Sequence, residues 1–134
     1  MSRYSGTTLS KKLGCKPGHV ISTWQAPDDY LELLQPLPEN VSTRSKLVEN
    51  SDIIHAFVYK MDELTKVYPD LISSMHTSSS LWISWPKKAS KVDTDLSRDV
   101  IRAFILSHGL VDVKIASYNN IYSCLKCVYR LKDR

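Results

Sequence analysis

Three lysines fall within five positions, Lys87, Lys88 and Lys91, interleaved with the hydroxyls of Ser90 and Thr94. Ammonium groups and hydroxyls ahead of a helix N-terminus, where free amides carry positive partial charge, can hold a phosphate or a carboxylate. Gln25 and Tyr30 follow the first predicted strand and would form the opposite wall of such a site. The plainer reading is a solvated loop whose lysines are neutralised locally by Asp93 and Asp95.

Other candidates carry less. Cys124-Leu125-Lys126-Cys127 has the spacing of redox and zinc motifs, which need a turn or a helix N-terminus to bring both sulfurs together. On a strand, positions 124 and 127 face opposite ways, and Cys15 is alone, so buried structural cysteines are expected. His19, His55, His76 and His108 show no metal-ligand spacing, and His55, inside an apolar run, reads as a hydrogen-bonded core residue. No G-x-S-x-G elbow and no G-x-x-x-x-G-K-[ST] loop occurs. No catalytic set, metal or cofactor is therefore expected. Trp24, Trp82 and Trp85 near the lysines suggest base stacking, but Trp82 and Trp85 must face opposite sides of one strand. Arg130, Lys132 and Arg134 alternate with Asp133 as a solvated tail, so nucleic acid is not an expected partner.

The elements that would position these groups alternate. A strand is expected at His19–Gln25, then a helix from Pro27-Asp28-Asp29 through Tyr30, Leu33, Leu34 and Leu37, ended by Pro36 and Pro38. Strands follow at Val41–Leu47 and at Asp52–Tyr59, the latter apolar enough to be covered on both faces. Leu64, Val67, Tyr68, Leu71, Ile72 and Met75 repeat at helical spacing, with Pro69 expected to kink or split the helix. Leu81–Trp85 reads as a buried strand, and Thr94 or Asp95 as the cap of a helix to His108, with Gly109 beyond its end. Val111–Tyr118 and Tyr122–Arg130 close the chain as a hairpin turning at Asn119-Asn120. This order predicts an α/β, three-layer Rossmann-like sandwich: a mostly parallel sheet of about six strands ending in an antiparallel hairpin.

Composition agrees with one globular domain. The chain has 134 residues, and 18 basic against 14 acidic groups give a net charge of 18 − 14 = +4. The excess lies in the second half, with 10 basic and 6 acidic groups over 68–134 against 8 and 8 over 1–67. Residues 1–12 are polar and are expected to be a flexible leading segment without the apolar stretch of a secretory signal. No apolar run approaches the ~20 residues of a membrane span, and three cysteines do not make a disulfide framework, so a cytoplasmic setting is expected.

The order of elements resembles a shortened Rossmann-like methyltransferase fold, with one helix and one strand missing between Leu47 and Asp52. More narrowly, the chain resembles a family of small bacterial proteins classed as a domain of unknown function. That likeness is carried by Leu13-Gly14-Cys15-Lys16-Pro17-Gly18, Ala26-Pro27-Asp28-Asp29-Tyr30, Trp85-Pro86-Lys87-Lys88-Ala89-Ser90, Thr94-Asp95-Leu96 and Gly109-Leu110-Val111-Asp112-Val113-Lys114. The resemblance implies a fold and a bacterial cytoplasmic setting, and no established activity. A dinucleotide or S-adenosylmethionine (SAM) site of this fold needs glycines after the first strand. Here stands Gln25-Ala26-Pro27-Asp28-Asp29, with a proline lacking an N–H and two acids that would repel a pyrophosphate. Glu49 is the one stand-in for a ribose-binding acid. The leading expectation is thus a non-catalytic domain binding a small anionic ligand or a protein partner at the strand-end crevice. The alternative is a SAM-dependent methyltransferase relative with a degenerate cofactor loop.

Overall fold

The computed structural model describes residues 8–134, so most of the expected leading segment, residues 1–7, lies outside the described residues. The rest of that segment is ordered into α1 (Leu9–Leu13), capped by the Thr8 hydroxyl on the Lys11 amide and ended by Gly14 at φ 77°. Three further helices follow: α2 (Tyr30–Leu34), α3 (Met61–Ser74) and α4 (Arg98–Leu106). The strands are β1 (Val20–Trp24), β2 (Ser42–Arg44), β3 (Ser51–Phe57), β4 (Met75–Pro86), β5 (Leu110–Ser117) and β6 (Tyr122–Tyr129).

They form one sheet in the order β2-β1-β3-β4-β6-β5. Pairings among β2, β1, β3 and β4 are parallel, and β6 lies antiparallel between β4 and β5. This is the expected α/β sandwich, mostly parallel with a closing hairpin. The connection from β2 to β3, residues 45–50, holds neither helix nor strand, so β2 is an edge of the sheet.

Alternation along each strand sorts the core into two layers. On one face α3 and α4 cover Ile54, Ala56, Leu81, Ile83, Trp85, Leu125 and Cys127. On the other, α1 and α2 cover Ile21, Ile53, Phe57, Trp82 and Cys124. Cys124 and Cys127 therefore face opposite layers, as do Trp82 and Trp85, and all three cysteines are free.

Several boundaries differ from the sequence expectation. Helix α2 is a short segment, because its C-cap Gln35 precedes Pro36 and takes the extended conformation that proline imposes on the residue before it. Strand β2 keeps three residues of the expected Val41–Leu47. Pro69 sits inside an unbroken α3. Met75 completes the helical apolar stripe, yet it opens β4, pairing with Ser51 before the register jumps to Ile53 opposite Ser80. The polar run between them stays attached because the Ser79 hydroxyl donates to the Ser51 carbonyl at 2.6 Å and accepts from the His76 amide at 2.9 Å. The cap of α4 is Ser97, on the Val100 amide, rather than Thr94 or Asp95. The hairpin turns where the Asn119 carboxamide accepts from the amides of Ile121 and Tyr122.

Candidate functional site

Strand order reverses between β1 and β3, and ligands of open α/β sheets bind beyond the carboxyl ends of the strands at such a point. That crevice is closed here by the protein's own side chains. Gln25, the residue after β1, sits in the left-handed region at φ 59°. Its Nε2 donates to the Phe57 carbonyl at 2.9 Å and to the Glu63 carboxylate at 2.8 Å. The other Glu63 oxygen accepts from the Tyr59 amide at 2.7 Å, and the Thr94 hydroxyl donates to the Tyr59 carbonyl at 2.6 Å. The polar backbone groups at the end of β3, which a ligand would otherwise meet, are thus already satisfied.

The lysine loop is not gathered around a common point. Lys87 Nζ donates to the Ser117 hydroxyl at 3.0 Å, whereas Lys88 and Lys91 point into solvent. The Ser90 hydroxyl donates to the Lys87 carbonyl and accepts from the Val92 amide, a closed local turn, and the Thr94 hydroxyl accepts from the Leu96 amide. Gln25 and Thr94 converge on the end of β3, at Phe57 and Tyr59; Lys88 and Lys91 do not join them.

Tyr30 turns inward. It is 4% exposed, its hydroxyl bonds His55 Nδ1 at 2.8 Å, and burial holds its phenol well above the ordinary range. His55 is fully buried and also bonds Ser84 Oγ through Nε2 at 2.6 Å, so it is the hydrogen-bonded core residue that its apolar run suggests. Tyr30 stacks on Tyr118, whose hydroxyl donates to Asp29 at 2.9 Å.

A hollow opens at the carboxyl end of the sheet beside β1 on the β2 side, while an open groove of about 350 Å³ lies beside the Gln25–Glu63 clasp, lined also by Trp24, Lys66, Val67 and Asp70. The hollow measures about 270 Å³ and is lined by Thr23, Ala26, Pro27, Asp28, Tyr30, Leu31 and the β2 segment Thr43, Arg44 and Ser45. Arg44 supplies an exposed guanidinium that makes a weak bond to the neighbouring Thr43 carbonyl at 3.3 Å. Asp28 supplies a carboxylate, Thr43 and Ser45 supply hydroxyls, Thr23 supplies a buried hydroxyl that already donates to the Arg44 carbonyl at 3.3 Å, and Ala26, Pro27 and Leu31 supply an apolar wall. Arg44 and its neighbours were missed from sequence because nothing local distinguishes an arginine ending a three-residue strand. Glu49, the stand-in for a ribose-binding acid, lies elsewhere, in a groove with Trp24, Ser45 and Asp70. Among the described residues no three or more His, Cys, Asp or Glu come together as a metal site.

No protein-family model matches the chain, and no curated protein does. The small bacterial family marked by Trp85-Pro86-Lys87-Lys88 thus gains no support from them. Solved structures do match. DhpI in its complex with SAH is similar over 92% of this chain and 81% of its own, at 8% identity and a TM-score of 0.64. A putative type 11 methyltransferase from Sulfolobus solfataricus matches over 91% and 89%, at 13% identity and a TM-score of 0.62. Magnesium protoporphyrin IX methyltransferase from Synechocystis, with bound SAM, matches over 85% and 71%, at 14% identity and a TM-score of 0.60. Against LepI in complex with SAH and a substrate analogue, at 11% identity and a TM-score of 0.55, the chain spans 39% of that protein's length.

Identities this low establish shared architecture: the chain has a shortened, methyltransferase-like Rossmann fold. They also correct the leading expectation. A non-catalytic module taking a small anion or a protein partner at the crevice gives way, because the matching structures include a SAM-bound magnesium protoporphyrin IX methyltransferase, a putative type 11 methyltransferase and an SAH complex. The methyltransferase-related alternative is the better supported of the two.

Proposed function

We propose that this chain is a methyltransferase-related protein that binds the adenosyl amino acids SAM and S-adenosylhomocysteine (SAH) through a degenerate cofactor loop. The ligand would sit in the hollow between the β1 loop and β2. The observation that carries the reading is the donor set of that hollow. An adenosyl amino acid bears a carboxylate, an ammonium, ribose hydroxyls and a flat apolar base, and the hollow offers a group for each. Arg44 would pair with the carboxylate and Asp28 with the ammonium. Thr23, Thr43 and Ser45 would bond hydroxyls, and Pro27 and Leu31 would cover the base. At about 270 Å³ the volume falls just below the usual range of ligand pockets, roughly 300–1,000 Å³.

SAM, when bound, supplies an electrophilic methyl group on a sulfonium. The chain's own part is binding and orientation. Arg44 and Asp28 fix the polar end by opposite charges, and Pro27 stiffens the loop against which the ligand rests. Membership of the small bacterial family with the Trp85-Pro86-Lys87-Lys88 stretch, and a cytoplasmic location suggested by three free cysteines, belong to the same proposal. No helix among the described residues is long and apolar enough to cross a membrane.

The test is thermal unfolding with SAH, which cannot transfer a methyl group. At about 100 times its dissociation constant, SAH adds roughly 2.7 kcal/mol, several degrees for a chain of this size. The shift should vanish in Arg44→Ala and persist in the double variant Lys87→Ala/Lys88→Ala. No shift with SAH or SAM, or a full shift in Arg44→Ala, overturns the proposal.

A further inference from the structure

Five lysines distant in the chain meet on one face of the β5–β6 hairpin. Lys114 and Lys126 are direct cross-strand partners, a juxtaposition of like charges that costs stability. Lys126 Nζ reaches the end of α1, 4.0 Å from where a Cβ on Gly14 would stand. Burial, with Lys114 and Lys16 nearby, pulls its ammonium below the usual range. Toward the carboxyl edge of β4, Lys12 Nζ donates to the Ser117 carbonyl at 3.2 Å and Lys87 Nζ to the Ser117 hydroxyl at 3.0 Å. The ion pairs among the described residues are Lys60–Asp93, His76–Asp52 and Arg102–Asp112. None of the five lysines meets a carboxylate in them.

A group of cations outside those ion pairs, with Asp29 beside Tyr118 and Tyr122 at its Lys87 end, suits a ligand carrying a series of anions. At the Lys87 end the half-buried rings of Tyr59 and Tyr122 pack edge to face. We propose that this stripe binds single-stranded nucleic acid, with phosphates along the lysines and bases against the two tyrosines. A sheet face joining basic side chains to aromatic rings accepts unpaired bases in this way, and ring stacking favours a nucleotide chain over an acidic peptide. The stripe is separate from the β1–β2 hollow, so this proposal stands whether or not SAH binds.

The test is fluorescence anisotropy of a labelled 20-nucleotide uridylate RNA at about 50 mM salt, repeated as salt is raised. Binding is expected, with a slope of log affinity against log salt approaching about −3.5, from five phosphates at roughly 0.7 each. Lys114→Gln/Lys126→Gln should flatten that slope by about 1.4 while melting no lower than the parent, since it removes a repulsion. Lys12→Gln/Lys87→Gln, at the other end, should do the same without touching the cross-strand pair. The proposal fails if the RNA does not bind, or if both double variants leave binding unchanged. It fails equally if a labelled polyglutamate or phosphatidylserine vesicles bind as tightly as the RNA.

Discussion

His55 offers a sharp test of the packing, because its protonation is coupled to folding. The imidazole is fully buried, with Nδ1 on the Tyr30 hydroxyl and Nε2 on Ser84 Oγ, and no carboxylate bonds it. Burial lowers its pKa from 6.5 to about 3. The unfolded chain therefore takes up a proton near pH 6.5 that the folded chain refuses until about pH 3. The stability so contributed is complete above pH 6.5 and is lost as pH falls through that value, at about 1.4 kcal/mol per pH unit. Between pH 7 and pH 5 the loss is about 2 kcal/mol, and toward pH 3 it is on the order of 5 kcal/mol. Keeping to pH 5–7 leaves out Asp52, whose carboxyl is lowered by bonds from the Val20 amide and His76 and whose contribution is lost at more acid pH. His55→Gln keeps a polar side chain without a titrating proton. At pH 7 it should cost about 1–3 kcal/mol for the buried hydrogen bonds it fails to remake. At pH 5 the parent has lost its advantage and the gap should narrow by about 2 kcal/mol. Urea unfolding followed by tryptophan fluorescence at pH 7, 6 and 5 measures both curves. A variant that loses stability as steeply as the parent over this range would refute the account.

Two further outcomes follow from single contacts. Ser97→Ala removes the cap on the Val100 amide and should lower stability by about 1 kcal/mol in urea unfolding, with Ser97→Asp restoring most of it. Burial pushes the Cys124 thiol up to about 11 and raises that of Cys127 as well; partial burial and the nearby Asp52 charge raise Cys15 too, but Cys15 is half-exposed where the other two are buried. An aromatic disulfide reagent at pH 8 should therefore titrate one thiol quickly in the native protein and all three only in denaturant. Fast labelling of Cys124 would show that the layer under α1 opens.

Most of the fold was legible because its signals are local. The apolar runs of β3 and β4, the helical stripe of α3 and the Asn119 turn each announce themselves within a few residues. What was missed depends on partners distant in sequence. Met75 fits the α3 stripe, and only the serine bonds that tie the 77–80 run to Ser51 make it a strand residue. In α1 just two leucines, Leu9 and Leu13, face the core, too few to register as a period, although the Thr8 and Gly14 caps were in plain view. The site was read least well. The hollow is assembled from two stretches of chain, 23–31 and 43–45, and Arg44 matters only because β2 pairs with β1. The lysine stripe likewise joins positions that are far apart until the hairpin and α1 meet. Lys88 and Lys91, close to Lys87 in sequence, are not part of it.

Shortening the fold has a consequence for where a ligand can lie. With no strand beyond β2 among the described residues, Arg44 stands at an open edge, while Gln25 and Glu63 clasp the reversal point between β1 and β3. Gln25→Gly separates the two locations. Its φ of 59° suits glycine, so the loop keeps its path and loses only the side chain that bars the crevice. A ligand held in the β1–β2 hollow would bind this variant within about twofold of the parent. A ligand that must enter at the reversal point would bind about tenfold tighter or more once the clasp is gone, a gain of about 1.4 kcal/mol. Calorimetric titration of SAH into both proteins decides between them, and tighter binding by Gln25→Gly would move the adenosyl site away from Arg44.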